Sequence, residues 1–530
     1  MCAQGRLVSL FDILGPIMTG PSSSHTAGVL RIGRFGRMLL GGEPEAIALH
    51  FYGDALGRTY KGHLSDSAIV AGLLGYKEDS PIIRTALQEA AKREIPVTYH
   101  VEHDSERNPN TVDMRLTRQG QELRVVGITV GGGEIMMSEV DSFEIALFGC
   151  EEGFLFETDS TFNVTRLEAL LRRELTTMKS SESEGRVLWT CLMSRALSDR
   201  EIKVLGAMEG VRRVFPLQAI QDRKTGDAHA LFTSFDEMFQ VMEDRNLSFA
   251  QAAMEYERCQ SGLSDEAIRR RIGQIWTVMK ESIRLGISGN NDLVAGLIPR
   301  DSGARLMRAV DEGKTVGGKT LGTAIARAIS TMETNACARC IVAAPTAGSC
   351  GVLPGALTTV AEERGASDDT VIDALLSAAI SGVLVAMRTS LSGSIGGCQA
   401  EIGVASAMTA AALVQIVGGT PRQVAHGMAL ALKNILGLIC DPVAGPVEIP
   451  CIKRNGIGVG NAFAAADMAL AGIESAIPPD EVIGALENTQ KLLPPELRGT
   501  MKGGLASTPT AIRLKEEWNQ RIFTMAQDEK

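Results

Sequence analysis

The spacing of apolar and polar positions divides the chain into three stretches of different texture. Over residues 1–137, short helical and strand-like runs alternate. LVSLFDILG predicts a short helix stopped at Gly15-Pro16, and AIALHFYG has the apolar content of a strand. DSAIVAGLLGY predicts a helix with its cap at Asp66 or Ser67. IPVTYHVEH and ELRVVGITVGGGEIMM are rich in Val, Ile and Thr and predict strands, with a hairpin turn at VGGGE, so this stretch is expected to be mixed α and β.

Residues 138–221 repeat a different order. SFEIALFG predicts a strand, VTRLEALLRREL a helix and TTMKSS a strand; a polar turn, SESEGR, leads to strand VLWTCLMS. Helix DREIKVLGAM, capped by Ser198, and strand VRRVFPLQAI complete a ferredoxin-like pattern. QDRKTGDAH reads as a linker. Residues 222–530 are almost wholly helical in pattern, with Ala-rich runs such as VIDALLSAAISGVLVAM and RQVAHGMALALKNILGLI. Gly- and Pro-rich breaks interrupt them: APTAGSCGVLPG, SLSGSIGGCQAEIG, CDPVAGPVEIPC and NGIGVGN. Such breaks let backbone approach a ligand, and function concentrates in them. The expected fold class is therefore multidomain, α/β plus all-α: a mixed N-terminal domain, a ferredoxin-like middle domain and a compact helical C-terminal domain.

Composition then narrows the function classes. Of 530 residues, 45% are apolar and 22% charged, which excludes a disordered chain and a coiled-coil rod. A net charge of -10 and 4% aromatics argue against nucleic-acid binding, which needs a basic stripe. The uncharged run Ile402 to Pro421 is long enough to span a membrane, but its Ser, Thr, Gln and Gly residues favour a buried core helix. No membrane partner is expected. MCAQGRLVSLFDILGPIMTG lacks the layout of a secretory signal, so a cytoplasmic, reducing compartment with free thiols is the expectation.

Six of the ten cysteines lie between 337 and 451. Cys398, Cys440 and Cys451 each sit in or beside a Gly/Pro break. Thiolates hold iron–sulfur clusters, yet this spacing matches no compact ferredoxin run, so buried loop cysteines fit the pattern as well. Cys337 and Cys340 form a CxxC without a second pair, which reads as structural rather than zinc-binding or redox. Cys350 fits either a ligand or a packing role. In Gly20-Pro21-Ser22-Ser23-Ser24-His25-Thr26, consecutive hydroxyl residues ahead of a helix present N–H groups and hydroxyls together, a carboxylate cradle or simply an N-cap. His25 adds a proton donor or acceptor, and Lys61-Gly62-His63 gives a second histidine room in a tight turn. His50, His100, His103, His229 and His426 lie in strand, linker or helix contexts and read as structural. There is no Walker A run, HExxH or GxSxG.

GPSSSHT, KGH, APTAGSCGVLPG, GGCQAEIG, CDPVAGPVEIPCIKRN and the closing ASTPT, taken together and in this order, resemble the iron–sulfur L-serine dehydratases of bacteria. The resemblance covers nearly the whole chain, and the pairing of GCQAE with CDPVAG is its most specific part. It implies a β part first (1–137), an ACT-type domain (138–221) and an α part (222–530) fused in one chain, with a homodimer as the family expectation. FETDSTFNVTRLE replaces the Gly-containing loop that greets an amino acid in ACT domains, which implies a dimer-forming or spacer role.

The resemblance further implies a [4Fe–4S] cluster on Cys398, Cys440 and Cys451, and no cysteine follows Cys451 to serve as a tail ligand. The implied reaction is β-elimination of L-serine to pyruvate and ammonia, with an open iron as Lewis acid on the hydroxyl. His63 is the implied base and His25 a substrate ligand or alternate base. Ser23, Ser24 and Thr26 would hold the carboxylate or orient the histidine, and Thr346 and Ser394 would line the pocket. The competing readings are a lyase preferring L-threonine or another hydroxy amino acid, a non-enzymatic iron–sulfur sensor with an ACT-like module, and a pyridoxal-phosphate lyase.

Overall fold

The structure, a computed structural model, describes residues 8–528 apart from 54–55, 103–105, 166, 168–170, 172–174 and 222–229. His103 and His229 therefore lie outside the described residues, as does most of the linker at 221–229.

A six-stranded sheet forms the N-terminal unit, from β2 (Ala46–Tyr52), β3 (Val97–Glu102), β4 (Thr111–Arg118), β5 (Gln121–Gly131), β6 (Glu134–Val140) and β7 (Phe143–Leu147). Their order is β3-β2-β4-β5-β6-β7, antiparallel except for the β2–β3 pair. Helices Val29–Leu39 and Ser65–Leu73 pack closely together and cover it. Their approach depends on two glycines. A Cβ on Gly33 would lie 2.3 Å from the Ile69 carbonyl oxygen, and one on Gly72 would lie 2.1 Å from that of Leu30.

The middle unit is a four-stranded antiparallel sheet of β8 (Glu152–Asp159), β9 (Leu175–Ser183), β10 (Arg186–Met193) and β11 (Val211–Leu217), ordered β11-β8-β10-β9. One assignment from the sequence is corrected here. The strand read at SFEIALFG is β7, the edge of the first sheet, and the first strand of the middle sheet is β8. Both segments alternate in the right way, and only the partner strand decides which sheet each joins. The helix expected over VTRLEALLRREL falls partly outside the described residues, while its Leu167 and Leu171 are buried beside Phe154 and Phe156. Helix Asp199–Gly206 carries the capping box between Ser198 and Glu201.

From Phe235 onward the chain is a layered helical body. Helix Val404–Ile416 is apolar all round and buried, as a central core helix must be. Among the described residues one helix, Asp368–Ala386, is long and apolar enough to cross a membrane, and 72% of that window is buried inside the protein.

The first described residues tie the start of the chain to the helical body. The helix predicted in LVSLFDILG shrinks to Leu10–Ile13 and packs on the helical body, not on the N-terminal sheet. Glu257 accepts from Ser9 Oγ and from the Leu10 N–H at 2.8 Å. β1 (Ile17–Thr19) then pairs antiparallel with β12 (Cys340–Val342). The SSSHT run follows directly from this strap.

Candidate active site

Residues Ser23–Gly28 form a π-helical turn that widens the start of helix Val29–Leu39. Within SSSHT, Ser22 is thus the N-cap and Ser23 to Thr26 belong to the first turn of the helix. Ser22 caps it, its Oγ accepting from the His25 N–H at 3.1 Å. Thr26 Oγ1 accepts from the Ser22 N–H and donates to the His63 carbonyl at 2.7 Å. Ser65 Oγ donates to the His25 carbonyl at 2.6 Å. These bonds bind the two histidine motifs to each other through their backbones. The KGH turn bends sharply at Leu64, which takes a left-handed φ of 53°.

His25 and His63 are both buried, with their Nδ1 atoms 3.1 Å apart. His25 Nε2 lies 3.0 Å from Asn110 Oδ1. Burial pushes the His25 pKa below its ordinary value of 6.5, partly offset by the Asn110 bond. Burial, together with the neighbouring His25 ring, pushes His63 well below 6.5. Both rings are therefore neutral at pH 7.

A second π-helical turn, Gln399–Gly403, follows Cys398. π-turns inside helices are frequent at functional sites, and here they carry both the SSSHT and the GCQAE motifs. Ligand atoms of Cys398, Glu401 and Cys440 lie within 4.8 Å of one another. The Cys440 thiol is pushed well above its ordinary 9.0, first by its hydrogen bond with Cys398 and then by burial. Cys451, at the start of helix Cys451–Leu470, is pushed up by burial and then by Cys398. Arg454, one turn into that helix, ion-pairs with Asp441 at 2.9 Å and donates to the Ile439 carbonyl. Asp441 also accepts from the Leu505 N–H, which anchors the segment leading into ASTPT beside the thiols.

Glu401 is a half-buried carboxylate whose pKa is raised by desolvation; Thr346 Oγ1 donates to it at 2.9 Å. The Ala347 N–H, next along the chain, reaches Ser23 Oγ at 3.5 Å. Asn335 Nδ2 donates to both the Pro21 and Ala347 carbonyls. A Cβ on Gly62 would come within 2.9 Å of Pro446, so the KGH turn packs directly on the CDPVAGP loop. The histidine turns of the N-terminal unit and the thiol loops of the helical body therefore face one junction.

Residues 244–506 match the family of serine dehydratase alpha chains, and residues 9–120 the family of serine dehydratase beta chains. A probable L-serine dehydratase alpha chain of Bacillus subtilis is 41% identical over 287 residues, covering 54% of this chain and 95% of that one. The probable beta chain of the same organism is 44% identical over 154 residues, 29% of this chain and 70% of that one. A single-chain L-serine dehydratase of Streptomyces coelicolor is 30% identical over 512 residues, 94% of this chain and 98% of that one.

The chain belongs to the serine dehydratase family. It carries beta-type and alpha-type parts in one polypeptide, beta first.

Within this serine dehydratase, the residues marked in the sequence are not placed alike. His25, His63, Ser23 and Thr26 are buried together, with Ser24 half-buried beside them. Thr346 bonds to Glu401 beside the thiols. Ser394 is exposed and pairs with Ser392 Oγ at 2.9 Å; its neighbour Gly393 makes the close approach to Glu401. Cys337 is buried with its thiol pushed up to about 12, and Cys340 sits in β12 with its thiol at about 11. Cys350 is buried, its Sγ 3.4 Å from Met332 Sδ. Burial raises all three thiols, the surroundings of packing cysteines rather than of reactive ones.

Four residues were not singled out from the sequence. Glu401 and Arg454 stand inside quoted motifs, which was the available signal. Asn110 and Asn335 stand in unremarkable surroundings 85 and 314 positions from their partners in the site, and nothing local marks them.

Proposed function

We propose that this chain is an L-serine dehydratase that eliminates water from L-serine and releases pyruvate and ammonia, using a [4Fe–4S] cluster. The observation that supports the reading is a neutral histidine pair whose KGH turn packs on the loop that begins at Cys440, with ligand atoms of Cys398, Glu401 and Cys440 within 4.8 Å of one another, in a chain holding both family parts. The thiol set suits such a cluster. Cys440 and Cys451, with thiol pKa values raised, stay protonated unless a metal centre replaces their protons. Three soft sulfur donors, with one buried cation at Arg454, match iron–sulfur chemistry better than hard-ion chemistry.

Cys398, Cys440 and Cys451 would hold the cluster, which when bound supplies Lewis-acid chemistry toward the substrate hydroxyl. The rest falls to side chains of this chain. The Ser23 and Ser24 N–H groups, which open the turn ahead of the His25 N–H that Ser22 caps, suit a carboxylate together with the Ser23 and Ser24 hydroxyls. His63 is the base for the α-proton. Its Nε2 makes no hydrogen bond among the described residues, and a neutral ring is what a base requires. His25 backs it. Thr346 and Glu401 line the wall between the histidines and the thiols, with Ser394 at the outer rim.

The middle unit fits an ACT-like reading, because its strand order β11-β8-β10-β9, with helix Asp199–Gly206 between β10 and β11, is that of a βαββαβ sheet. Its role would be to form a homodimer or space the catalytic units, and the cytoplasm suits an oxygen-sensitive cluster. The three-unit division would place its first junction after Leu147, where the six-stranded sheet ends. The test is anaerobic purification with iron analysis and a pyruvate assay on L-serine. Oxygen-sensitive pyruvate formation that tracks iron content supports the reading, and equal activity in iron-free protein overturns it.

A further inference from the structure

Asn110 contacts His25 at the ring nitrogen that faces away from His63. Asn110 is held at three points: its N–H donates to Asn108 Oδ1 at 2.9 Å, its carbonyl accepts from the Thr129 N–H, and its side-chain Oδ1 faces His25 Nε2 at 3.0 Å. We propose that Asn110 is a positioning residue that fixes the proton pattern along the imidazole pair, leaving the lone pair on His63 Nε2. This rests on the reading of His63 as the base.

An amide oxygen only accepts, so His25 Nε2 carries the hydrogen. A neutral ring carries one hydrogen, so His25 Nδ1 is bare and accepts. Two bare nitrogens, or two N–H groups, facing each other at 3.1 Å would repel, so His63 Nδ1 donates. His63 Nε2 is then bare and free of protein partners among the described residues. Reversing the pattern would put a hydrogen on His63 Nε2 and remove the base without moving an atom of the ring.

Charged groups on the surrounding elements are engaged elsewhere. Arg31 and Arg34 pair with Glu78, Lys61 with Asp66, Arg124 with Asp113 and Glu139, and Asp441 with Arg454. Among the described residues, the amide of Asn110 is the one polar side-chain contact that distinguishes the two ends of the pair.

The test compares Asn110→Leu, Asn110→Asp and His63→Ala in anaerobically prepared holoenzyme, with L-serine as substrate. Asn110→Leu keeps the size and loses the acceptor; kcat should fall by about 10- to 1,000-fold with KM within about two-fold, as wrong-tautomer histidines behave. Asn110→Asp keeps an acceptor and cannot donate when ionised. It should restore most of kcat at alkaline pH, while the acid limb of kcat/KM moves up because a carboxylate favours protonated His25. A merely structural asparagine would show no such rescue. Iron content should match the parent in all three. Parent-like kcat in Asn110→Leu, or an Asn110→Asp enzyme as slow as Asn110→Leu at every pH, overturns the proposal. If His63→Ala keeps full turnover, the assignment of the base falls first. If His63→Ala is inactive and Asn110→Leu is not, only the role of Asn110 falls.

Discussion

His25 and His63, 38 positions apart in the chain, meet Nδ1 to Nδ1 at 3.1 Å, both rings buried. Two cationic rings could not share that contact. Burial already disfavours charge on each, and a proton on one ring opposes a proton on the other.

That relationship sets the pH dependence. The base must be neutral, and both rings are held below 6.5, His63 furthest. The acid limb of kcat/KM should therefore lie below 6.5, with activity retained as pH falls through that value and lost only lower down. Stability follows the same sign. Below about 6.5 the unfolded chain binds protons that the folded rings refuse, so the fold weakens as pH drops toward the folded-state values. A pH–rate profile paired with thermal melts checks both, and a limb at or above 6.5 would contradict the account.

Among the cysteines, iron should discriminate sharply. Cys440→Ser should lose the cluster absorbance, most of the iron and pyruvate formation together. Cys340→Ser, in β12 and away from the Cys398–Glu401–Cys440 group, should keep iron per chain at the parent level. Iron analysis on both variants decides it.

Gly393 should tolerate no side chain. An added Cβ would sit 2.5 Å from Glu401 Oε2 and 3.3 Å from Cys440 Sγ, so Gly393→Ala must displace one or the other. Iron occupancy and kcat should both fall. Gly273, in helix Asp265–Ile287, has no atom within 4 Å of such a Cβ. Gly273→Ala should keep full activity and gain about 0.5–1 kcal/mol from helix propensity. Melting curves and iron analysis on the two variants separate site crowding from a general glycine effect.

Glu448, in the VEIPC run, looks catalytic by its company but is built into the scaffold. It is buried and accepts N–H groups from Ala295, Gly296 and Leu297 at 2.9, 2.9 and 2.6 Å. Glu448→Ala strands three donors and should cost about 2–5 kcal/mol. The thermal midpoint should drop in iron-loaded and iron-free protein alike, as a catalytic role would not require.

Short local patterns were the legible part of this molecule. SSSHT, KGH and the cysteine breaks could be marked because small, polar or thiol residues in Gly/Pro-rich settings are informative where they stand. The division into sheet-rich and helical stretches was legible from periodicity. What lay beyond the sequence was pairing. Nothing in SFEIALFG says that it joins β6 rather than β10, and nothing in LVSLFDILG says that it packs under Glu257 instead of the sheet beside it. Asn110 and Asn335 act across the fold, so their neighbours in sequence carry no trace of their partners. The π-turns were also hidden, since one extra residue per turn leaves no mark in a six-residue run.

The central claim, a neutral His63 base working beside a thiolate-held cluster, is tested most directly by one pairing. Parent and His63→Ala proteins are prepared without oxygen, and iron content, visible absorbance and pyruvate formation from L-serine are measured on each. The account predicts equal iron and absorbance in both, with turnover lowered by about 10²–10⁴-fold in His63→Ala. Equal turnover in the two, or full turnover in parent protein stripped of iron, would contradict it.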